Sequence, residues 1–154
     1  MPKMHIHRTI DINAPKEDIK AVLTDFNQWQ EWSPWLIAEP AAKVEIADDA
    51  QSYRWTGART GEGEMAITST TDDLIKYDLR FIKPWKSESK VTFGLHAQED
   101  HTKVSWTMDS SLPFFLFWMK KSMEAFVGSD YDRGLNMLKK KIETGSVPSK
   151  LEFV

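Results

Sequence analysis

The chain of 154 residues contains no cysteine, so it can hold neither a disulfide framework nor a thiolate metal or redox site. That fits a reducing compartment. Net charge is also small: 20 basic and 23 acidic side chains leave −3. So even a balance offers no strong electrostatic hold on nucleic acid. Long apolar runs are missing. The longest, "FFLFWM" from Phe114 to Met119, falls far short of the roughly 20 residues that span a bilayer. The opening "MPKMHIHRTIDI" lacks the apolar centre of a signal peptide. These absences point to a cytoplasmic protein, without a nucleic-acid partner and without stable membrane insertion.

Metal and phosphate chemistry find little support. Of four histidines, His5 and His7 share a strand face, but no third ligand stands at a recognisable spacing, so no metal or other cofactor is expected. The glycines of "GARTGEGEM" open a strand rather than a helix, so they read as hairpin or bulge residues and not as a phosphate loop. The acidic pairs Glu62/Glu64, Asp72/Asp73 and Asp130/Asp132 read as solvated surface. The basic run Lys139–Lys141 lies beside a candidate helix end, where cations suit the dipole. The other reading of that run is a phosphate- or lipid-binding patch.

What is present is patterned. At this length a single domain is expected, burying about 70% of its extended surface. Residues 3–12 alternate and read as a strand. "NAPKEDIKAVLTDF" then changes period. Pro15 suits a first helical position, and Ile19, Val22, Leu23 and Phe26 form a helical stripe over about residues 15–25. Trp29, Trp32 and Trp35 follow at three-residue spacing. Pro34 breaks the segment, so a short helix, a break and a second turn are expected.

Six strand-like runs come next, at 43–47, 51–57, 61–70, 74–82, 87–97 and 102–110, separated by turn signals. Residues 114–143 then read as one long helix, with its stripe at Leu116, Met119, Met123, Phe126, Val127, Gly134, Leu135, Leu138 and Ile142. Strands followed by a long helix argue for an α+β fold, the helix packed on one face of an antiparallel sheet.

Each strand buries alternate residues. The apolar parity collects Tyr53, Trp55, Met65 and Ile67, then Tyr77, Leu79 and Phe81, then Val91, Phe93 and Leu95, and finally Val104, Trp106 and Met108. The opposite parity is polar, from Arg54 and Glu64 to Asp78, Arg80, Thr92, Ser105 and Thr107. The helix adds Phe115, Phe117, Met119, Met123 and Phe126 to the oily side. Bulky rings on a curved sheet hold walls apart, and methionine adapts to irregular contents. Two readings stand on the residues alone: a dry core, or a cavity between sheet and helix.

The stretches "IDINAPKEDIKAVLTDFNQWQEWSPW" (10–35), "GEGEM" (61–65), "YDLRFIKPWKSESKVTF" (77–93) and "TKVSWTM" (102–108), followed by the long helix, resemble the SRPBCC or START-like superfamily, within it the polyketide cyclase/dehydrase-like branch. The resemblance runs from about residue 3 to 143. It implies a helix-grip fold: a seven-stranded antiparallel sheet wrapped round a long C-terminal helix, with two short helices between the first two strands. A single START-like domain is then expected at 1–145, with a C-terminal tail at 146–154. It also implies a deep hydrophobic cavity with its mouth near the short second helix.

The candidate contacts for a small hydrophobic molecule are then Trp32, Trp35 and Trp55, Met65 and Ile67, Tyr77, Leu79 and Phe81, Phe93, Trp106 and Met108, with Met119, Met123 and Phe126 from the helix. Trp32 and Trp35 would rim the cavity or plug its end, whereas Trp29 reads as a plug. A lipid, polyketide, quinone or aromatic metabolite would suit such a site. An enzyme of the cyclase or dehydratase type is the alternative, with Tyr77 as its weak catalytic candidate. The inner face shows tyrosines and, at its edge, Ser87 and Ser89, but no convincing general base. A third reading takes the oily run "LPFFLFWMKK" (112–121) as a docking surface for a protein, a membrane or a second copy in a homodimer.

Overall fold

The computed structural model describes residues 3–31, 43–58, 61–83, 86–111, 118 and 120–144. Strand β1 (Lys3–Ile12) leads through helix α1 (Lys16–Leu23) and a 3-10 helix (Phe26–Glu31) to β2 (Lys43–Ile46) and β3 (Ser52–Gly57). β4 (Gly61–Thr70), β5 (Leu74–Lys83), β6 (Ser87–Ala97) and β7 (Thr102–Ser111) follow, and helix α2 (Lys120–Thr144) closes the fold. The sheet has seven strands in the order β1-β7-β6-β5-β4-β3-β2, every pair antiparallel. Six consecutive strands thus form a meander, and β1 returns to pair with β7. This is the α+β helix-grip arrangement implied by the resemblance, with strand boundaries within a residue of those read from the alternation.

The helices differ more from expectation. Pro15 stands just outside α1 in extended geometry (φ −63°, ψ 148°) rather than as its first helical residue. α1 ends at Leu23, two residues earlier than expected: Thr24 leaves helical geometry (φ −93°, ψ 3°), while its N–H and hydroxyl both still donate to the Lys20 carbonyl. The described part of α2 begins at Lys120. Residues 112–117 and 119, which the long-helix expectation includes, lie outside the described residues, as do Trp32, Trp35 and the tail from 145 onward.

α2 packs along β1 and is tied there at several points. The Asn13 N–H donates to Glu143 Oε2 at 2.7 Å, and Lys139 bridges that carboxylate at 2.9 Å while donating to the Asp11 carbonyl. Further along, the His5 N–H donates to Glu124 Oε2 at 3.0 Å. Carboxylates of the helix thus fill backbone amides on the outer border of the sheet. Arg8 reaches from β1 under the helix, its Nε 3.4 Å from Asp132. Gly128 makes room for it, since a Cβ there would stand 2.2 Å from the Arg8 guanidinium.

Two expectations fail on this helix. Phe126, placed with the inward stripe by its spacing from Met119 and Met123, is 69% exposed. The inward line instead steps by four through Met123, Val127 and Tyr131 to Leu135, then by three to Leu138, which turns Phe126 to the outer side. Asp130, taken as solvated surface with Asp132, is only 7% exposed. Positions i and i+2 lie on different helix faces, so Asp132 looks outward while Asp130 flanks the inward arc, 3.7 Å from Arg133.

Candidate ligand-binding site

The inner face of the sheet carries a continuous series of rings. Tyr131 of α2 stacks on Trp106 of β7 at 3.8 Å and 8°, and Trp106 stacks on Phe93 of β6 at 4.9 Å. Phe93 meets Trp29 and Tyr77 edge-on at 6.2 and 5.9 Å. Phe26 then links Trp29 to Tyr53, and Trp55 links Tyr53 to Phe81. Edge-on and offset geometries like these suit the ring quadrupole. The Trp106–Tyr131 stack is direct van der Waals contact, so sheet and helix close on each other there.

Leu23 organises the short helical segment. Its backbone carbonyl, one of the orphan acceptors at the C-terminus of α1, accepts from the Tyr77 hydroxyl at 2.7 Å and from Trp29 Nε1 at 3.1 Å. Trp29 is accordingly a buried structural residue that seats the 3-10 helix against the sheet. Tyr77, the weak catalytic candidate, has its only proton committed to this carbonyl. Burial pushes its hydroxyl well above the ordinary value near 10, so it stays neutral.

Burial divides the remaining candidates into two groups. Trp55, Met65, Phe93, Trp106 and Met108 are buried with Tyr77 in the core. Ile67, Leu79 and Phe81 on β4–β5, and Met123 on α2, are only partly buried, as is Val127 beside Met123. The inner face is therefore less covered at this end than around Trp106. Trp32, Trp35 and Met119 lie outside the described residues, and Phe126 faces outward.

Three features escaped the site list read from sequence. Tyr131 fits the four-residue step between Val127 and Leu135, a signal present in the periodicity. Tyr53 stands on the oily parity, in register with Met65, which itself pairs with Leu79. Ser110 is buried with Ser89 on the same inner row, and the Ser89 hydroxyl donates to Ser110 Oγ at 2.6 Å. The Ser87 hydroxyl beside them donates to the Ser111 carbonyl at 3.0 Å. The parity that buries Val104, Trp106 and Met108 continues to Ser110, so this signal was present in the alternation.

On the other face, a depression of about 200 Å³ is lined by Lys43, Glu45, Arg54, Trp55, Thr56 and Glu62. This mainly charged lining does not suit an apolar molecule. Glu64 bridges Arg54 and Arg80 there at 3.4 and 3.3 Å, as surface pairs do. Among the described residues, no group of three or more histidine and acidic side chains could hold a metal ion, and no helix is long and apolar enough to cross a membrane.

No functionally curated protein matches the chain in sequence. Solved structures match it in fold. The di-domain aromatase/cyclase StfQ of the steffimycin pathway superimposes with a TM-score of 0.71 at 10% identity, over 92% of this chain and 51% of StfQ. DynU16, from the dynemicin biosynthetic locus, gives 0.63 at 16% over 95% of this chain and 49% of its own. The chain thus spans about half the length of either. A START superfamily protein from Mycobacterium smegmatis gives 0.63 at 17%, covering 92% of this chain and 99% of that one. Identities this low speak for the fold alone. The sequence profile described as polyketide cyclase/dehydrase and lipid transport matches residues 3–143, and with nearly the whole chain covered, this protein belongs to that family.

Proposed function

We propose that the protein binds a small apolar molecule between the inner face of β4–β5 and the first half of α2. The observation that carries this reading is the partial burial of Ile67, Leu79, Phe81, Met123 and Val127, at the end of the interior opposite the Trp106–Tyr131 stack. These side chains lie on the inward parity, yet the fold does not cover them fully. A guest shielding about 300 Å² of apolar surface there gains about 7 kcal/mol before association costs. Family membership supports the same class of guest, which includes lipids, polyketides, quinones and aromatic metabolites.

Binding is favoured over acid–base catalysis by the state of the tyrosines. Burial raises Tyr53, Tyr77 and Tyr131 above their ordinary range, so near neutral pH each can donate a hydrogen bond but not act as a base. Titration with N-phenyl-1-naphthylamine tests the reading. Micromolar binding that weakens at least tenfold in Leu79→Glu is expected. Absence of binding in the wild type, together with no co-purifying species in native mass spectrometry, overturns it.

A further inference from the structure

Helix α2 separates its acids from its first cations. Of its four carboxylates, Glu124 accepts from the His5 N–H at 3.0 Å, and Asp132 stands 3.4 Å from Arg8 Nε. Glu143 accepts from the Asn13 N–H and bridges Lys139, and Asp130 is buried 3.7 Å from Arg133. All four are thus engaged within the fold. Lys120 and Lys121, in the first turn, are exposed and, among the described residues, pair with no carboxylate.

The same end of the helix shows two large rings to solvent. Trp118, just before the first turn, and Phe126 are each 69% exposed. Ser122, Ala125, Phe126 and Ser129 are all exposed and recur at three- and four-residue steps, so they share one outward face. Rings held outside beside cations mark a contact surface.

Area and charge select the occupant. The two rings leave on the order of 300 Å² outside, against about 800 Å² per partner in a stable protein interface. A second copy docked on this face would add its own lysines, while the carboxylates of both helices are already engaged. An anionic bilayer matches both features. It accepts rings at headgroup depth and draws ammonium groups to its phosphates. The chain as a whole carries −3, so such attraction has to come from a local separation of charge like this one.

We propose that the outer face at the start of α2 docks on the surface of an anionic phospholipid bilayer, with Trp118 and Phe126 at the headgroup boundary and Lys120 and Lys121 against the phosphates. The helix lies along the surface. This docking does not depend on the guest proposed above.

Cosedimentation with vesicles tests it, using phosphatidylcholine alone and phosphatidylcholine with phosphatidylglycerol at about one third of the lipid. Wild type is expected to bind the anionic vesicles and leave the neutral ones. Phe126→Ser should weaken binding by about tenfold or more, and Lys120→Ser and Lys121→Ser by about fivefold each, the effect of one cation near an anionic surface. Titration of Phe126→Ser with N-phenyl-1-naphthylamine should match wild type, which keeps docking apart from the binding reading. Because the chain has no cysteine, a single introduced one can carry an environment-sensitive fluorophore. With anionic vesicles its emission should shift to the blue at Ser122→Cys. It should not shift at Glu99→Cys, in the β6–β7 turn at the far end of the sheet from Ser89 and Ser110. Wild type indifferent to anionic vesicles, equal binding to both vesicle types, or equal shifts from both labels overturns the proposal. So does a dimer in sedimentation velocity that Phe126→Ser abolishes, since a second copy would then be the occupant. A fall of several degrees in the melting temperature of Phe126→Ser also overturns it, because the ring would then be packed inside.

Discussion

All three tyrosines of the chain, Tyr53, Tyr77 and Tyr131, are buried, which makes alkaline titration a sharp test of the interior. An unfolded tyrosine ionises near pH 10. In the folded protein burial raises all three. Their contribution to stability is therefore complete below pH 10 and is lost as pH rises above it. Over that window the unfolded state has released protons that the native state retains. Each group steepens the fall by about 1.4 kcal/mol per pH unit, so the three together give about 4 kcal/mol per unit. A domain of about 8 kcal/mol stability then unfolds about two units above pH 10. Absorbance at 295 nm, which reports tyrosinate, is expected to stay flat through pH 10 and 11. It should then rise in one step, together with loss of the far-ultraviolet circular dichroism signal. A gradual rise centred near pH 10 with circular dichroism intact would refute the buried placement of these side chains.

Two further substitutions probe the frame. Gly63 pairs with Trp55 across β3–β4, and a Cβ at that position would lie 2.4 Å from the Trp55 ring and 2.7 Å from the Arg80 carbonyl. Neither can yield easily, so Gly63→Ala should cost about 2–3 kcal/mol and lower the melting temperature by roughly 4–12 °C; a variant as stable as wild type contradicts the close approach. Glu143 is held below the ordinary carboxylate range first by the Asn13 N–H and then by Lys139. Its contribution is present above the unfolded carboxyl value and lost as pH falls through the lower folded one. Glu143→Gln should therefore cost about 1 kcal/mol at pH 7, allowing for solvent screening, and much less at pH 3. A pH-independent difference in melting temperature between the two proteins would rule this out.

The sheet was legible because alternation along a strand is set locally. Ile75, Tyr77 and Phe93, Leu95 declare their buried side by period alone, and the turn residues between runs mark the hairpins. The helix stripe was less secure. Met119, Met123 and Phe126 form a plausible helical edge, but which edge faces inward is decided by the sheet. Contact with Trp106 selected the line through Tyr131. Asp130 was misread for the same reason, since its burial depends on where α2 rests. The candidate site was legible as an oily face but not in its polar detail. Nothing in "QSYRWTG" or "LIKYDLRF" distinguishes Tyr53 from Tyr77. They differ because the Leu23 carbonyl lies within reach of one hydroxyl, through a contact spanning 54 positions of the chain.

The two borders of the sheet have a consequence for how the molecule behaves in company. An open sheet invites a stray strand to extend it, and that is how soluble proteins begin to form fibres. Here one margin is β2, only four residues long and alternating Lys43 and Glu45, too brief a template to hold a visitor. At the other margin, β1, α2 packs alongside, and its carboxylates occupy the amide of His5 and, one residue past the strand, that of Asn13. Lateral growth is thus discouraged on both flanks, by brevity on one and by prior occupation on the other, and the oily face can stay incompletely covered with less risk of self-association.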